Sequence, residues 1–402
     1  MKHLVNVLAS FTLGPLPRIL FGAGSIEKIP EQAATFGNKA LIVMGKHWLR
    51  ESSHWRRLEE GLSDRAIQWL SFSITDEPSP EQIDVAVTRY HSDDINVVIG
   101  IGGGSVLDAA KAIAGLLPRG NSVMDHLEGV GKGVPYTGPA TPFLAVPTTA
   151  GTGSEATRNA VLTKRGESGF KKSFRHEKLV AHTTIVDPEL LASCPFDQMA
   201  AQGMDAFTQL LEAYVSRNSN PVTDALAWSG IQAFVEGFFP ALEGGPEAAA
   251  AGRSRLAYAS LTSGICLAHA GLGSVHGLAS SLGAFFPIPH GMVCGTLLAE
   301  AVAINLTLLK QREPGSKALQ KYARVGELLS EEASSPTQSK EQRLVARLRD
   351  WTHRLGLKRL SEYGVTEADI ARIVAARGGG NMQSNPVEMT EADVFELIRR
   401  RL

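Results

Sequence analysis

Cysteine is nearly missing from this chain. Its three residues, Cys194, Cys266 and Cys294, are widely spaced and odd in number, which argues against a disulfide framework and for a reducing compartment. Long apolar runs are missing as well: none reaches the roughly 18 uninterrupted residues that a membrane helix needs. Nor is there an excess of one charge, since 40 Lys and Arg stand against 41 Asp and Glu for a net −1. Without a basic or acidic field there is no electrostatic case for nucleic acid or an anionic membrane as partner. The opening "MKHLVNVLASFTLGPL" has one lysine, a broken apolar run and no clean small-residue cleavage site, so it gives only a weak signal for a secretory leader. A soluble, cytoplasmic protein is expected. Repeats and low-complexity blocks are absent too.

What is present is ordinary globular composition, 44% hydrophobic and 20% charged over 402 residues. That length exceeds one typical core, so two domains are expected. Up to about residue 190, strand-like runs alternate with helical stretches: "KALIVM" (39–44), "IQWLSFSI" (67–74), "INVVIGI" (95–101), "PFLAVPTT" (142–149) and "TTIVDP" (183–188). Apolar residues on successive positions mark parallel strands covered on both faces, and "SVLDAAKAIAGLL" supplies a helix after the third. From about 195 no strand pattern is found. Amphipathic runs cover 196–216, 221–238, 247–269, 291–306, 316–331, 340–355, 366–376 and 390–401, punctuated by Pro195, Pro221 and Asn305. "EEASSPTQSKEQ" reads as a polar surface loop. The expectation is an α/β N-terminal domain (1–192) with a doubly wound, mainly parallel sheet, and an all-α C-terminal domain (193–402), with a ligand cleft between them.

Two turns carry the chemistry of the first half. In "VVIGIGGGSVLDAAKAIA" a buried strand ends in Gly102, Gly103 and Gly104, and Ser105 opens a helix. Glycines let the backbone approach a ligand closely, and the free N–H groups and dipole of a helix start favour a phosphate. The spacing is neither G-x-G-x-x-G nor Walker A, and a tight packing turn would leave the same pattern. A second turn, "PTTAGTGSEAT" (147–157), sets Thr148, Thr149, Thr152 and Ser154 among Gly151 and Gly153. Two such turns at the carboxyl ends of separate strands point to one crevice, as a dinucleotide requires.

In the second half, "GMDAFTQLLEAY" (203–214) puts Asp205 and Gln209 four apart on one helical face, with Glu212 seven from the first. An Asp with a His at i+4 would be half a metal site; here a glutamine stands in the imidazole's place. His269 reads more readily as a packed, hydrogen-bonded core residue than as a ligand. No Ser/His/Asp or Cys/His arrangement indicates a covalent mechanism, and the cysteines, in apolar helical surroundings, are expected only to pack.

The sequence resembles the iron-containing (group III) alcohol dehydrogenases of the dehydroquinate synthase-like superfamily. The resemblance rests on "FGAGSIEKIP", "IGGGSVLDAAKAIA", "PTTAGTGSEAT", "TIVDPELLASCP", "GMDAFTQLLEAYVS" and "GLGSVHGLASSLGAFFPIPHGMVCGTLL", in that order, and runs weakly on to "NPVEMTEADVFELI". It implies NAD(P)-dependent interconversion of a small alcohol and its carbonyl compound by hydride transfer, and a homo-oligomer, commonly a dimer. It implies cofactor positions at Gly102, Gly103, Gly104, Ser105 and Asp108, then at Thr148, Thr149, Thr152 and Asn159, and at Lys172, with His182 where a proline is usual. Members preferring NAD often close the strand matching "ALIVM" with an acidic residue; Gly45 stands there and Lys46 follows. Losing a carboxylate relieves repulsion with a 2′-phosphate, and a lysine pairs with it, so NADP is favoured over NAD.

The resemblance also implies four metal ligands: an Asp, a His four later, and two His fourteen apart. Asp205, His276 and His290 match, whereas Gln209 offers only a neutral amide, a poor ligand for Fe²⁺ or Zn²⁺. The related glycerol dehydrogenases use Asp-His-His on zinc, which these three residues would reproduce with Gln209 beside the ion. Ser280 stands where a second His is frequent, and His269 where an Asn is usual. A metal-free reductase therefore stays open, with His276, His290 or His269 polarising the carbonyl of an anionic substrate (maleylacetate- or phosphonate-aldehyde-like). The basic "KKSFRHEKL" (171–179) and Arg158 would steer such a substrate, but a solvated hairpin face is expected. A dehydroquinate synthase-like cyclase is disfavoured because 203–216 and 269–295 contain no Lys or Arg. An idle nucleotide-binding relic is disfavoured because Asp205, His276 and His290 are intact. A metal-assisted alcohol dehydrogenase or aldehyde reductase is the expected function.

Overall fold

A computed structural model of the chain describes residues 9–166, 169–330 and 338–402; most of the loop expected at 331–342 lies outside the described residues. The strands are β1 (Arg18–Phe21), β2 (Lys39–Gly45), β3 (Gln68–Ile74), β4 (Val97–Gly102), β5 (Phe143–Pro147), β6 (Asn159–Lys164), β7 (Phe170–Arg175) and β8 (Thr183–Val186). Six of them form one parallel sheet in the order β1-β8-β5-β4-β2-β3, and β6 and β7 pair separately as an antiparallel hairpin. Within β2, Leu41 and Val43 feed the core on one face while Ala40, Ile42 and Met44 feed the other. Burial on both faces is why these strands read as continuous apolar runs.

Helices α1 (Ile29–Ala34), α2 (Trp48–Glu51), α3 (Ser53–Ser63), α4 (Pro80–Tyr90) and α5 (Gly104–Leu116) connect the strands. Residues of α1 and α3 pack on one face and those of α4 and α5 on the other, so the sheet is doubly wound. Strand order reverses between β2 and β4, and their carboxyl ends, at Gly45 and Gly102, open the crevice where such sheets bind ligands.

Past Val186 the described residues hold no strand. They form α6 (Phe196–Val215), α7 (Pro221–Glu243), α8 (Pro246–Ala270), α9 (Ser274–Phe285), α10 (His290–Arg312), α11 (Lys317–Leu328), α12 (Lys340–Arg354), α13 (Ile370–Ala375), α14 (Gly379–Ser384) and α15 (Glu391–Arg399) around one continuous core. Pro195 and Pro221 start α6 and α7 as expected. Asn305 does not stop a helix. It sits inside α10, where Asn385 Nδ2 donates to its Oδ1 at 2.9 Å, so a buried partner replaces the water its amide would otherwise seek. α10 is long and apolar enough to cross a membrane, yet 78% of its apolar window is buried within the protein, which makes it a core helix here.

The two halves touch backbone to backbone. Gly153, in the hydroxyl-rich turn, takes a left-handed φ of 61°, and a Cβ on Gly264 of α8 would fall 2.0 Å from its carbonyl oxygen. Only glycine fits on either side of that contact.

Candidate active site

A cleft of about 1020 Å³ runs between the carboxyl edge of the sheet and the helical half. Gly45, Gly102, Gly103, Gly104, Ser105, Thr148, Thr149 and Thr152 line one wall; Asp205 and His290 line the other. α5 starts at this wall with Gly103 as its N-cap and no side-chain acceptor on its first amides. A helix start left uncapped beside threonine hydroxyls fits a dinucleotide phosphate. Lys46 is exposed, one residue beyond Gly45.

Other expected cofactor residues lie elsewhere. Asp108 accepts from Val161 N at 3.0 Å and from the Ser154 hydroxyl, so it ties α5 to the segment after the second turn rather than facing the cleft. Beside it Lys111, which the sequence reading passed over, is 1% exposed. Its ammonium donates to Ser154 O, Thr157 Oγ1 and Asn159 O, each at 2.8 Å. Burial raises the Asp108 pKa and lowers that of Lys111, their mutual attraction opposing both shifts. Asn159, Lys172 and His269 line a second cavity of about 820 Å³, together with Arg158, Lys171, Arg175 and Ser280. His269 Nδ1 lies 2.7 Å from Ile265 O of its own helix, apart from the other two candidate histidines. The basic stretch is not a solvated face throughout: Lys171 is only 11% exposed and is held 2.7 Å from Glu77, a residue of the main cleft.

The metal candidates converge from three helices. α6 supplies Asp205, α9 His276 and α10 His290. A Cβ on Gly291 would fall 2.4 Å from Ala201 O, so the absence of a side chain there lets the first turn of α10 press on α6. Asp205 Oδ1 lies 3.1 Å from His276 Nε2 and 3.7 Å from His290 Nε2. Cys294, expected only to pack, joins them, its Sγ 3.6 Å from His276 Nε2 and 3.8 Å from His290 Nε2. All four donor atoms lie within 4.8 Å of one another. Sequence reading missed the thiol because α10 shows no polar stripe to single it out; its spacing of four from His290 was the one available signal.

Around this cluster the supporting groups are ordered. Glu212 Oε2 sits 2.7 Å from His276 Nδ1, and Val275 N donates to Glu212 Oε1 at 2.8 Å. A carboxylate on Nδ1 fixes the ring and turns the Nε2 lone pair toward the cluster, as metal-bound histidines are held. Gln209 directs its amide nitrogen at Asp205 Oδ1, 3.4 Å away, and its oxygen accepts from Ser263 Oγ at 2.9 Å. Burial would raise the Asp205 carboxyl, but His290 and His276 outweigh it and hold it at about 2. Burial pushes His290 down to about 4, against the pull of Asp205, and the Cys294 thiol up to about 12. His276 is desolvated too, yet Cys294, Asp205 and Glu212 together raise it well above its ordinary value. An anionic carboxylate, two imidazoles and a thiol in a buried cluster fit a divalent transition metal.

Residues 17–188 match the family described as iron-containing alcohol dehydrogenase, and residues 199–402 match the C-terminal region of the same family. The chain is 30% identical over 392 residues to the 1,3-propanediol dehydrogenase of Klebsiella pneumoniae, covering 94% of this chain and 96% of that one. It is 28% identical over 391 residues to the NAD-dependent methanol dehydrogenase of Bacillus methanolicus, covering 96% and 98%. A crystal structure of 1,3-propanediol oxidoreductase superposes with a TM-score of 0.86 at 28% identity, over 98% of this chain and 100% of that one.

Proposed function

The chain belongs to the iron-containing alcohol dehydrogenase family, and from that premise we propose that the main cleft takes NADP(H) and a small alcohol or aldehyde beside the Asp205–His276–His290 cluster. It is an NAD(P)-dependent oxidoreductase acting on CH–OH groups. The bound nicotinamide supplies the hydride acceptor, and a divalent ion on the cluster supplies Lewis-acid polarisation of the substrate oxygen. The chain's own residues arrange the rest. The uncapped start of α5 binds phosphate, Thr148, Thr149 and Thr152 line the facing turn, and Glu212 keeps His276 Nε2 aimed inward.

The observation that carries this reading is the meeting of three donors from three helices, two of them, Asp205 and His290, lining the cleft that the phosphate turn opens into. Gly45 and Lys46 at the end of β2 support NADP over NAD, since no carboxylate stands there to repel a 2′-phosphate. A cytoplasmic homodimer is part of the same proposal, supported by the scarcity of cysteine and by the family's habit of pairing. The metal-free reductase of an anionic carbonyl compound gains no support from Lys171, whose charge is paired with Glu77. The test is NADPH and NADH oxidation across small aldehydes and keto acids, in protein of measured metal content. Turnover that tracks bound metal and favours NADPH is expected; full turnover in metal-free protein would overturn the metal assignment.

A further inference from the structure

One turn past Asp205 on α6 there is no imidazole. Gln209 stands there, its oxygen already accepting from Ser263. One turn past His290 on α10, Cys294 faces both histidines instead. We infer that Cys294 is the fourth protein ligand of a zinc ion, so that a thiol at i+4 on α10 takes over from the imidazole missing at i+4 on α6. This rests on the metal-assisted reading above and adds a ligand to it; the substrate oxygen would then join as a fifth ligand, an expansion that catalytic zinc permits.

The spacing supports it. A tetrahedral zinc ion with bonds of about 2.0–2.1 Å to nitrogen or oxygen and about 2.3 Å to sulfur holds its donors about 3.3 Å apart, or about 3.6 Å where sulfur is one of them. Here Asp205 Oδ1 is 3.1 and 3.7 Å from the two Nε2 atoms, and Cys294 Sγ is 3.6 and 3.8 Å from the same two. These are four of a tetrahedron's six edges, and the other two are no longer than 4.8 Å. Cys294 is fully buried at the edge of the apolar core, with two imidazole nitrogens close to its sulfur. Binding the ion exchanges the thiol proton, which leaves to solvent, for a sulfur–metal bond. Aspartate and thiolate together then cancel the charge of a dication. A soft sulfur donor among imidazoles selects zinc over the harder Fe²⁺.

Cobalt(II) tests the assignment, because thiolate ligation gives a sulfur-to-cobalt charge-transfer band in the near ultraviolet that nitrogen and oxygen donors do not. Protein stripped by a chelator and reloaded with cobalt is expected to show the band, and Cys294→Ser is expected to lose it. A variant carrying Cys194→Ser and Cys266→Ala should keep the band, which assigns the sulfur even if Cys294→Ser fails to fold. Zinc competition should find Cys294→Ser weaker by on the order of 10- to 100-fold, since loss of a mere supporting group already costs that much. Stoichiometric cobalt without the band overturns this inference and leaves the metal-assisted reading standing. A wild-type protein that takes up neither cobalt nor zinc overturns both.

Discussion

Lys171 Nζ lies 2.7 Å from Glu77 Oε1, an ion pair between β7 of the hairpin and the chain just beyond β3. One partner lines the main cleft and the other the second cavity, and Thr163 Oγ1 donates to the remaining Glu77 oxygen at 2.7 Å. Burial pushes the Glu77 pKa up, but Lys171 and Thr163 outweigh it and the carboxyl sits below its ordinary value. Removing one partner leaves a half-buried charge, so Lys171→Met should cost about 2 kcal/mol in chemical denaturation, less than a fully buried pair would. The double variant with Glu77→Leu should recover most of it. Because the folded pKa is depressed, the pair's contribution is present above the ordinary carboxylate value and disappears as pH falls through the folded one.

Glu155 titrates in the opposite sense. It is 2% exposed, and burial lifts its carboxyl from 4.5 to about 7, with Lys111 opposing. A raised folded pKa means full stability below pH 4.5 that declines as pH rises toward 7. The drop should be on the order of 3 kcal/mol, at about 1.4 kcal/mol per unit. Glu155→Gln should flatten the denaturation midpoint between those pH values. An unchanged slope in the variant would show that Glu155 is not the group responsible.

Glu212 acts through His276. Glu212→Gln keeps the shape of the side chain but loses the charge that orients the ring, and zinc affinity should fall about 10- to 100-fold by chelator competition. The KM for NADPH, bound on the opposite wall, should not move.

At the end of β2, Gly45→Asp with Lys46→Ala should shift the preference toward NADH. The expected change is on the order of tenfold in the ratio of kcat/KM values, equivalent to about 1.4 kcal/mol. Equal ratios before and after would place the adenosine ribose elsewhere.

Much of this architecture was legible because its signals are local or set by fixed spacings. Doubly buried strands announce themselves as unbroken Val, Ile and Leu, and Gly102–Gly104 before a helical run mark an uncapped helix start. Asp205, His276 and His290 could be found because their intervals survive in the chain. What stayed hidden depends on three-dimensional neighbours. β1 is four residues long and largely exposed. α9 is buried almost all round and so shows no stripe. Lys171 reads as part of a solvated face, and Lys111 draws no notice, until the folded chain supplies acceptors for them. Cys294 looked like packing because nothing in α10 alone tells which way its sulfur points.

Gly153 and Gly264 leave no room for a moving joint between the threonine turn and α8. That turn is also tied to α5 through Ser154, which Lys111 and Asp108 hold, and to β4 through Thr148 N donating to Gly102 O, so any rocking of one half over the other must bend at some other place. The proposed phosphate seat, between the start of α5 and this turn, therefore lies on a fixed seam between the two halves and not on a moving lip.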